Sequence, residues 1–304
     1  QLPVGDFFLD GFEHKPVLKS VDTWQKNANY FGWMPVGINN VPDWHFSPLT
    51  KSRIVDSQKV WWQIPDFDLK VGDIKAVWEA SRFDWVVAFA QQAVVGDLDA
   101  LQKLNSWLGD WCEHNPAYLG VNWKCGQEAS IRVMHLLMTA YLLEQVFTPS
   151  DALIRSIEVH LKRIEPTLRY AMAQDNNHGT SEATALFMAG EWLQQVQPSA
   201  DASRWAKIGR FWIENRVARL IGDDGGFSQY SVNYHRVMLD SLSMAEFWRL
   251  TLDVKAFSPL FYRKLKTATE WLYAFTDELT GDAPNIGAND GARLLQLTDT
   301  DYRE

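Results

Sequence analysis

The sequence predicts an all-α fold, an α/α toroid of antiparallel helical hairpins, and three observations predict it. From about residue 73 onward, apolar residues recur at spacings of three and four, which keeps them on one face of a helix. No stretch shows sustained alternation with Val, Ile and Thr enrichment, so strand signals are scarce. Short loops separate the helical segments, which makes successive helices antiparallel neighbours. A curved solenoid would satisfy the same signals, but no short repeat of fixed period is visible, which favours the toroid.

Taken in order, residues 1–60 form a loop-rich arm punctuated by Pro3, Pro16, Pro35, Pro42 and Pro48. Phe7, Phe8, Trp24, Tyr30, Phe31, Trp33, Trp44 and Phe46 make it too apolar for a disordered tail. The first helical segment opens at Asp73. The second runs from Asp97 to Glu113, with Leu98, Leu101, Leu104, Trp107, Leu108 and Trp111 on its apolar face. A third spans Glu128 to Phe147, between Gly126 and Pro149. Ser150 caps a fourth running towards Met172, which Pro166 kinks or divides. Others fall near 180–195, 201–221, 236–252 and 258–276. Residues 1–280 thus read as one helical domain and 281–304, rich in Gly, Asp, Asn and Thr, as a linker.

Composition narrows the function classes. The 304 residues carry a formal net charge of −9, which argues against nucleic acid or heavily sulfated polymers as partners. A less charged acidic polymer is compatible, because charges beyond roughly 10 Å are screened and a cleft needs only local basic residues. No apolar run is long enough to span a bilayer. No signal peptide is visible and the chain opens at Gln1, so a leader removed earlier is compatible with the sequence. Cys112 and Cys125 match no zinc signature and read as buried free thiols, with a single disulfide as the alternative. No cofactor or metal is expected. The 15 Trp are the compositional outlier; about two-thirds are expected to pack helices, and the rest are suited to stacking on sugar rings.

Three polar clusters could carry chemistry. The run Gln174-Asp175-Asn176-Asn177-His178-Gly179-Thr180-Ser181-Glu182 lies at a helix start, where unpaired backbone N–H groups favour an anion. His178 and Glu182 are four apart, so the carboxylate can orient the imidazole. Ordinary capping, with Thr180 or Ser181 as N-cap, accounts for the same residues. The run from Asp223 to Arg236 carries a Gly225-Gly226 turn and then Tyr230, Asn233, Tyr234, His235 and Arg236. An Arg beside Tyr234 can favour its phenolate as a base; packing tyrosines at a helix entrance are the equal alternative. In the third cluster, Trp123 precedes Glu128 and Arg132, an i,i+4 pair that reads first as a structural salt bridge. Glu79 and Arg82 form a similar pair. Both could brace a toroid wall or line a cleft for acidic sugars.

Together these motifs resemble the heparinase II/III superfamily of polysaccharide lyases. The residues are Asn-Asn-His…Glu at 176–182, Gly-Gly-Phe…Tyr-Ser-Val-Asn-Tyr-His-Arg at 225–236, Trp-Glu-x-x-Arg-Phe at 78–83 and Trp123…Glu128…Arg132. The likeness is greatest to the alginate-lyase and heparinase III branches. The closing Gly287-Ala288-Asn289-Asp290-Gly291-Ala292-Arg293 is similar to the family's interdomain element, with Ala288 where relatives often carry Asp. The resemblance implies a bacterial enzyme, periplasmic or secreted (cytoplasmic as the alternative), that cleaves a uronate-containing polysaccharide by β-elimination. It implies that Asn177 and His178 neutralise the uronate carboxylate, Tyr234 moves the proton, Arg236 orients it or the substrate, and Glu182 steadies His178. Trp123, Glu128, Arg132, Tyr230, Asn233 and His235 would contact the acidic polysaccharide. It further implies a C-terminal β-sandwich domain beyond residue 304 that completes the site, without which cleavage is expected to be poor. Other classes fit the same scaffold: a non-catalytic polysaccharide-binding or assembly protein, a uronate C5 epimerase, or a glycoside hydrolase using carboxylates such as Asp223, Asp224 and Glu182.

Overall fold

A computed structural model describes residues 40–55, 58–289, 291, 292, 294 and 295. Most of the aromatic arm, with Asp290 and Arg293 of the closing motif, lies outside the described residues. The fold is all-α: helix accounts for 63% and strand for 5%. Two minimal hairpins, β1 (Phe46–Ser47) with β2 (Ser52–Arg53) and β3 (Phe67–Asp68) with β4 (Gly72–Asp73), precede the helices. These are α1 (Lys75–Trp78), α2 (Asp84–Val94), α3 (Leu98–His114), α4 (Gly126–Leu142), α5 (Asp151–Ile164), α6 (Leu168–Ala173), α7 (Asn177–Val196), α8 (Ala200–Leu220), α9 (Val232–Thr251) and α10 (Pro259–Phe275). Ser150 caps α5, accepting the Leu153 N–H, and Pro166 sits in the 3-10 turn that separates α5 from α6. The chain divides there into two compact units, Gln1–Arg163 and Ile164–Glu304.

In the first unit, aromatic rings fix the α2–α3 hairpin. Phe83 meets Trp111 at 4.9 Å and Phe89 meets Trp107 at 5.0 Å, a reversed order that makes the helices antiparallel. Trp44 and Phe46, the end of the arm, are buried here, with Trp44 Nε1 donating to Asp110 at 2.7 Å. Nine of the thirteen described Trp are buried, so packing is the main use of tryptophan. The two cysteines are free thiols, each half-buried rather than fully enclosed.

The third sequence cluster turns out to be the polar centre of this unit. Arg82 forms a two-point bond to Glu128, at 2.8 and 3.0 Å, and a third bond to Glu79 at 2.7 Å. Burial alone would lower the Arg82 pKa, but these carboxylates overcome it and hold the value well above the ordinary one. Glu128 is thus bonded to Arg82, not to Arg132 one turn further on. Arg132 is completely buried. It donates to His160 Nε2 at 3.0 Å and to the Asn122 carbonyl at 2.8 Å, and lies 5.0 Å from the Trp111 ring and 5.4 Å from Trp123. Burial depresses its pKa to about 10. Trp123, Glu128 and Arg132 therefore brace the interior, and their burial gives no support to the substrate contact expected of them.

The second unit is organised by α7 and α8, which approach until their backbones touch. A Cβ on Gly190 would lie 2.3 Å from the Ala206 nitrogen, and one on Gly209 would lie 2.3 Å from the Phe187 nitrogen. The reversed order, 190 with 206 and 187 with 209, makes the pair antiparallel. Helix α9 then runs parallel to α7. Ser181, in the second turn of α7, meets Ser241, halfway along α9 (3.3 Å between hydroxyl oxygens), and Gln195 donates to the Leu252 carbonyl at their ends (2.8 Å). Both helices consequently begin at the same end of the unit.

In an exposed helix, Gly→Ala stabilises by about 1 kcal/mol. At Gly209 the sign should reverse: Gly209→Ala is expected to lower unfolding stability by about 1–3 kcal/mol, because the helices must move apart. Urea denaturation reads this directly, and a stabilised variant would contradict the close approach.

Stability should also fall in mild acid. His160 and His45 are held neutral chiefly by burial, with pKa values lowered from 6.5 to about 3 and about 4. Below pH 6.5 the unfolded chain therefore binds more protons than the folded one. Each histidine then adds a slope of up to about 1.4 kcal/mol per pH unit, with stability lost as pH falls from 6.5 to about 4 for His45 and to about 3 for His160. His114 acts in another window. Its hydrogen bond to Asp110 raises it to about 9, so its contribution is complete below 6.5 and lost as pH rises through about 9. Unfolding stability that stays flat as pH falls from 6.5 would contradict the neutral burial of His45 and His160.

Candidate active site

The first polar run forms the start of α7. Asn176 is the N-cap: its side chain accepts the His178 N–H at 3.0 Å. Neither Thr180 nor Ser181 caps. Thr180 instead bonds back to the Asn177 carbonyl at 2.8 Å, and Ser181 points to α9. The helix therefore begins at Asn177, and Asn177 and His178 occupy its first turn. Asn177 is buried, His178 is partly exposed, and Glu182 one turn later is buried.

The second run forms a tight loop and the start of α9. Gly225 has φ +93°, and a Cβ there would lie 2.3 Å from the Thr267 carbonyl of α10, so only glycine fits. Ser231 caps α9 by accepting the Tyr234 N–H at 3.2 Å, and its hydroxyl donates to the Ala288 carbonyl. The cap at 231 starts the helix a turn earlier than its apolar pattern suggests and sets Tyr234 and Arg236 in its first turn and a half, both partly exposed. Asn233 faces inward and is buried. His235 is fully buried; its Nε2 donates to the Ala268 carbonyl at 2.8 Å, and its ring stacks on Trp271 at 4.6 Å. Burial lowers its pKa, so it reads as a neutral core histidine, and the substrate contact expected of it finds no support. Tyr230 is the opposite case: 87% exposed, and held at φ +52°, where bulky residues are rare.

Two hydrogen bonds join these segments, and a third ties the second of them to the closing stretch. The Asn177 N–H donates to Gln229 Oε1 at 2.8 Å, and Ser228 Oγ donates to the Asp175 carbonyl at 3.0 Å. Val232 N–H donates to the Ile286 carbonyl at 3.0 Å. At Gly287, φ +82°, a Cβ would lie 2.3 Å from the Tyr230 carbonyl. Residues 286–288, expected in a linker, are thus docked on the start of α9. The end of the unit that bears Asn177 and His178 also bears Tyr234 and Arg236.

Sequence reasoning missed the supports of this end. Asp175, at φ +48°, accepts from Arg216 at 2.8 Å and from Arg219 at 2.9 and 2.5 Å. The Arg219 bond, then Arg216, holds its pKa down at about 2. Buried Arg216 also donates to the Met172 carbonyl at 3.0 Å. A Cβ on Gly179 would lie 3.1 Å from its Cδ. The only advance signal was Asp175 in a polar run, where any turn attracts aspartate. The hydrolase candidates fare differently. Asp223 is bonded to Lys264 at 2.7 Å, and Asp224 accepts its own loop's Gly226 N–H at 3.0 Å.

The described residues thus form an all-α fold in which the helix starts bearing Asn177, His178, Tyr234 and Arg236 lie next to one another. The Heparinase II/III N-terminus family model matches residues 18–281, and the chain belongs to that family. No curated protein sequence is significantly similar to it. Among solved structures, Heparinase III is 17% identical with a TM-score of 0.50, over 85% of this chain and 39% of that one. The Heparinase III-BT4657 gene product is 15% identical with a TM-score of 0.51, over 80% and 41%. Heparan sulfate lyase HepC from Pedobacter heparinus is 21% identical with a TM-score of 0.47, over 73% and 35%. The likeness to the two heparinase III structures is one of fold, and the chain spans about two-fifths of their length.

Replacing Asp175 should loosen this end. Asp175→Ala is expected to cost about 1–2 kcal/mol, discounted because the carboxylate is 39% exposed. The depressed pKa makes the Asp175 contribution complete above pH 3.8 and lost as pH falls through about 2. Variant and parent should therefore differ in urea at neutral pH and converge in strong acid.

Proposed function

We propose that this chain is the helical part of a polysaccharide lyase that cleaves a uronate-containing polymer by β-elimination. What supports the reading most is that the helix starts bearing Asn177, His178, Tyr234 and Arg236 share one end of a unit, in a chain of the Heparinase II/III N-terminus family. The C5 proton of a uronic acid is weakly acidic while its carboxylate carries full charge. Donors on that carboxylate stabilise the enediolate-like intermediate as negative charge moves onto it, the role assigned to the Asn177 amide and the His178 ring. Glu182, one turn along α7, steadies His178. Tyr234 takes the C5 proton, the C4–O bond breaks as the C4=C5 double bond forms, and the same group returns a proton to the departing oxygen. Arg236 keeps Tyr234 or the substrate in register.

Tyr230 and Asn233 flank this set. The exposed Tyr230 ring offers a stacking face for a neighbouring sugar. A polymeric substrate puts the enzyme in the periplasm or outside the cell. No helix among the described residues is long and apolar enough to cross a membrane. An epimerase would return the C5 proton to the sugar, and a binding protein would move no proton at all.

On a panel of uronate polysaccharides, absorbance of the conjugated 4,5-unsaturated uronate separates the lyase from both alternatives, because only elimination forms it. In the full-length protein, Tyr234→Phe should abolish turnover while leaving affinity nearly intact, and Asn177→Ala should lower kcat by about 10²–10³. Near-normal turnover in Tyr234→Phe would remove the tyrosine from the mechanism. Polymer binding with neither ultraviolet-absorbing product nor exchange of the C5 hydrogen with solvent would support the non-catalytic alternative.

A further inference from the structure

The start of an α-helix offers unpaired N–H groups that commonly bind anions. At α7 the first of these are already occupied. Asn176 Oδ1 takes the His178 N–H, the Asn176 carbonyl takes the Gly179 N–H at 3.2 Å, and Gln229 Oε1 takes the Asn177 N–H. The Gln229 bond crosses 52 residues of sequence, from the loop before α9 to the first residue of α7. It is the only hydrogen bond that the Gln229 side chain makes among the described residues. Its direction is fixed by chemistry: a backbone N–H can only donate, so the carboxamide must present oxygen.

Gln229 lies two residues before Ser231, the cap of α9, and five before Tyr234. Ser231 is itself tied to Ala288, and Gly287 packs against the Tyr230 carbonyl. The chain on the C-terminal side of Gln229 is therefore held, and its side chain transmits that position to Asn177. We infer that Gln229 is a positioning residue that sets the register between Asn177 and Tyr234. The same bond closes the Asn177 N–H to substrate, leaving anion contact at this helix start to side chains. This rests on the lyase reading for its catalytic consequence, not for its geometry.

The requirement is an acceptor of this length, which glutamate also supplies and alanine does not. In the full-length protein, Gln229→Ala should lower kcat by about 10- to 100-fold, the scale expected when a catalytic group shifts by about an ångström, with KM changed far less. Gln229→Glu should restore kcat to within a few-fold of the parent. Amide hydrogen exchange at Asn177, read by NMR or mass spectrometry, should quicken in Gln229→Ala and return in Gln229→Glu. Unchanged exchange at Asn177 in Gln229→Ala would overturn the inference whatever the protein's activity. So would parent-like kcat in Gln229→Ala, or a kcat in Gln229→Glu as low as in Gln229→Ala. If the parent protein eliminates no uronate polymer, the lyase reading fails on that result alone. The Asn177 exchange then decides whether Gln229 holds the helix start.

Discussion

Two glycines let α7 and α8 touch backbone to backbone, and the candidate site depends on that contact. Gly190 and Gly209 face Ala206 and Phe187 at distances no side chain would permit. A helix held this closely along its length has little freedom to slide or roll, because interiors are close-packed and respond to a single methylene. The fixed helix then sets where its first turn lies. The same α8 that meets α7 through Gly209 supplies Arg216 and Arg219 about two and three turns further on. These clamp Asp175 just before the α7 cap. The packing and the electrostatic clamp act on one short segment, and Asn177 and His178 follow it directly.

The first unit solves a different problem, how to keep Arg82 and Arg132 in its interior. A buried charge whose partner is removed costs several kcal/mol, and each arginine here is compensated in its own way. Arg82 has two carboxylates. Arg132 has backbone and imidazole acceptors and the faces of Trp111 and Trp123, and its depressed pKa reflects the weaker compensation. His160 can accept from Arg132 only while neutral, and its burial keeps it so. Residue types that suggest a binding wall for acidic sugars, Trp, Glu and Arg at helical spacing, are here committed to one another.

Much of this architecture was legible in the sequence because it is local. The three-and-four spacing marked the long helices, Pro166 marked the break after α5, and Ser150 marked its cap. Helix starts were harder. Asn176, Thr180 and Ser181 are all good caps, and nothing in the chain says which one wins until α8 and the 221–231 loop pin Asp175 and Asn177. The same held at Ser231, whose cap lies ahead of the apolar pattern it introduces. Long-range pairings were not legible at all. Glu128 could be matched with Arg132 by spacing, whereas its partner Arg82 lies 46 residues away and is brought near only by folding. His235 sits between two candidate residues in sequence, but the 100° turn per helical residue sends it to α10 instead.

The formal charge of −9 and an acidic substrate are compatible if attraction is generated locally. Parallel helices do this. Each carries about half a positive charge at its N-terminus, and the effect is confined to the first turn. Because α7 and α9 run in the same direction, their positive ends lie together rather than cancelling, as they would in an antiparallel pair. Capping of the α7 N–H groups by Asn176 and Gln229 removes direct backbone donors but leaves the summed dipole, since neutral amides do not neutralise it. A carboxylate approaching this end would feel a field from the backbone and make its hydrogen bonds to side chains. That division suits elimination chemistry: the backbone field acts on the substrate's existing charge, while side-chain donors can be aimed at the oxygens on which charge grows as the proton leaves.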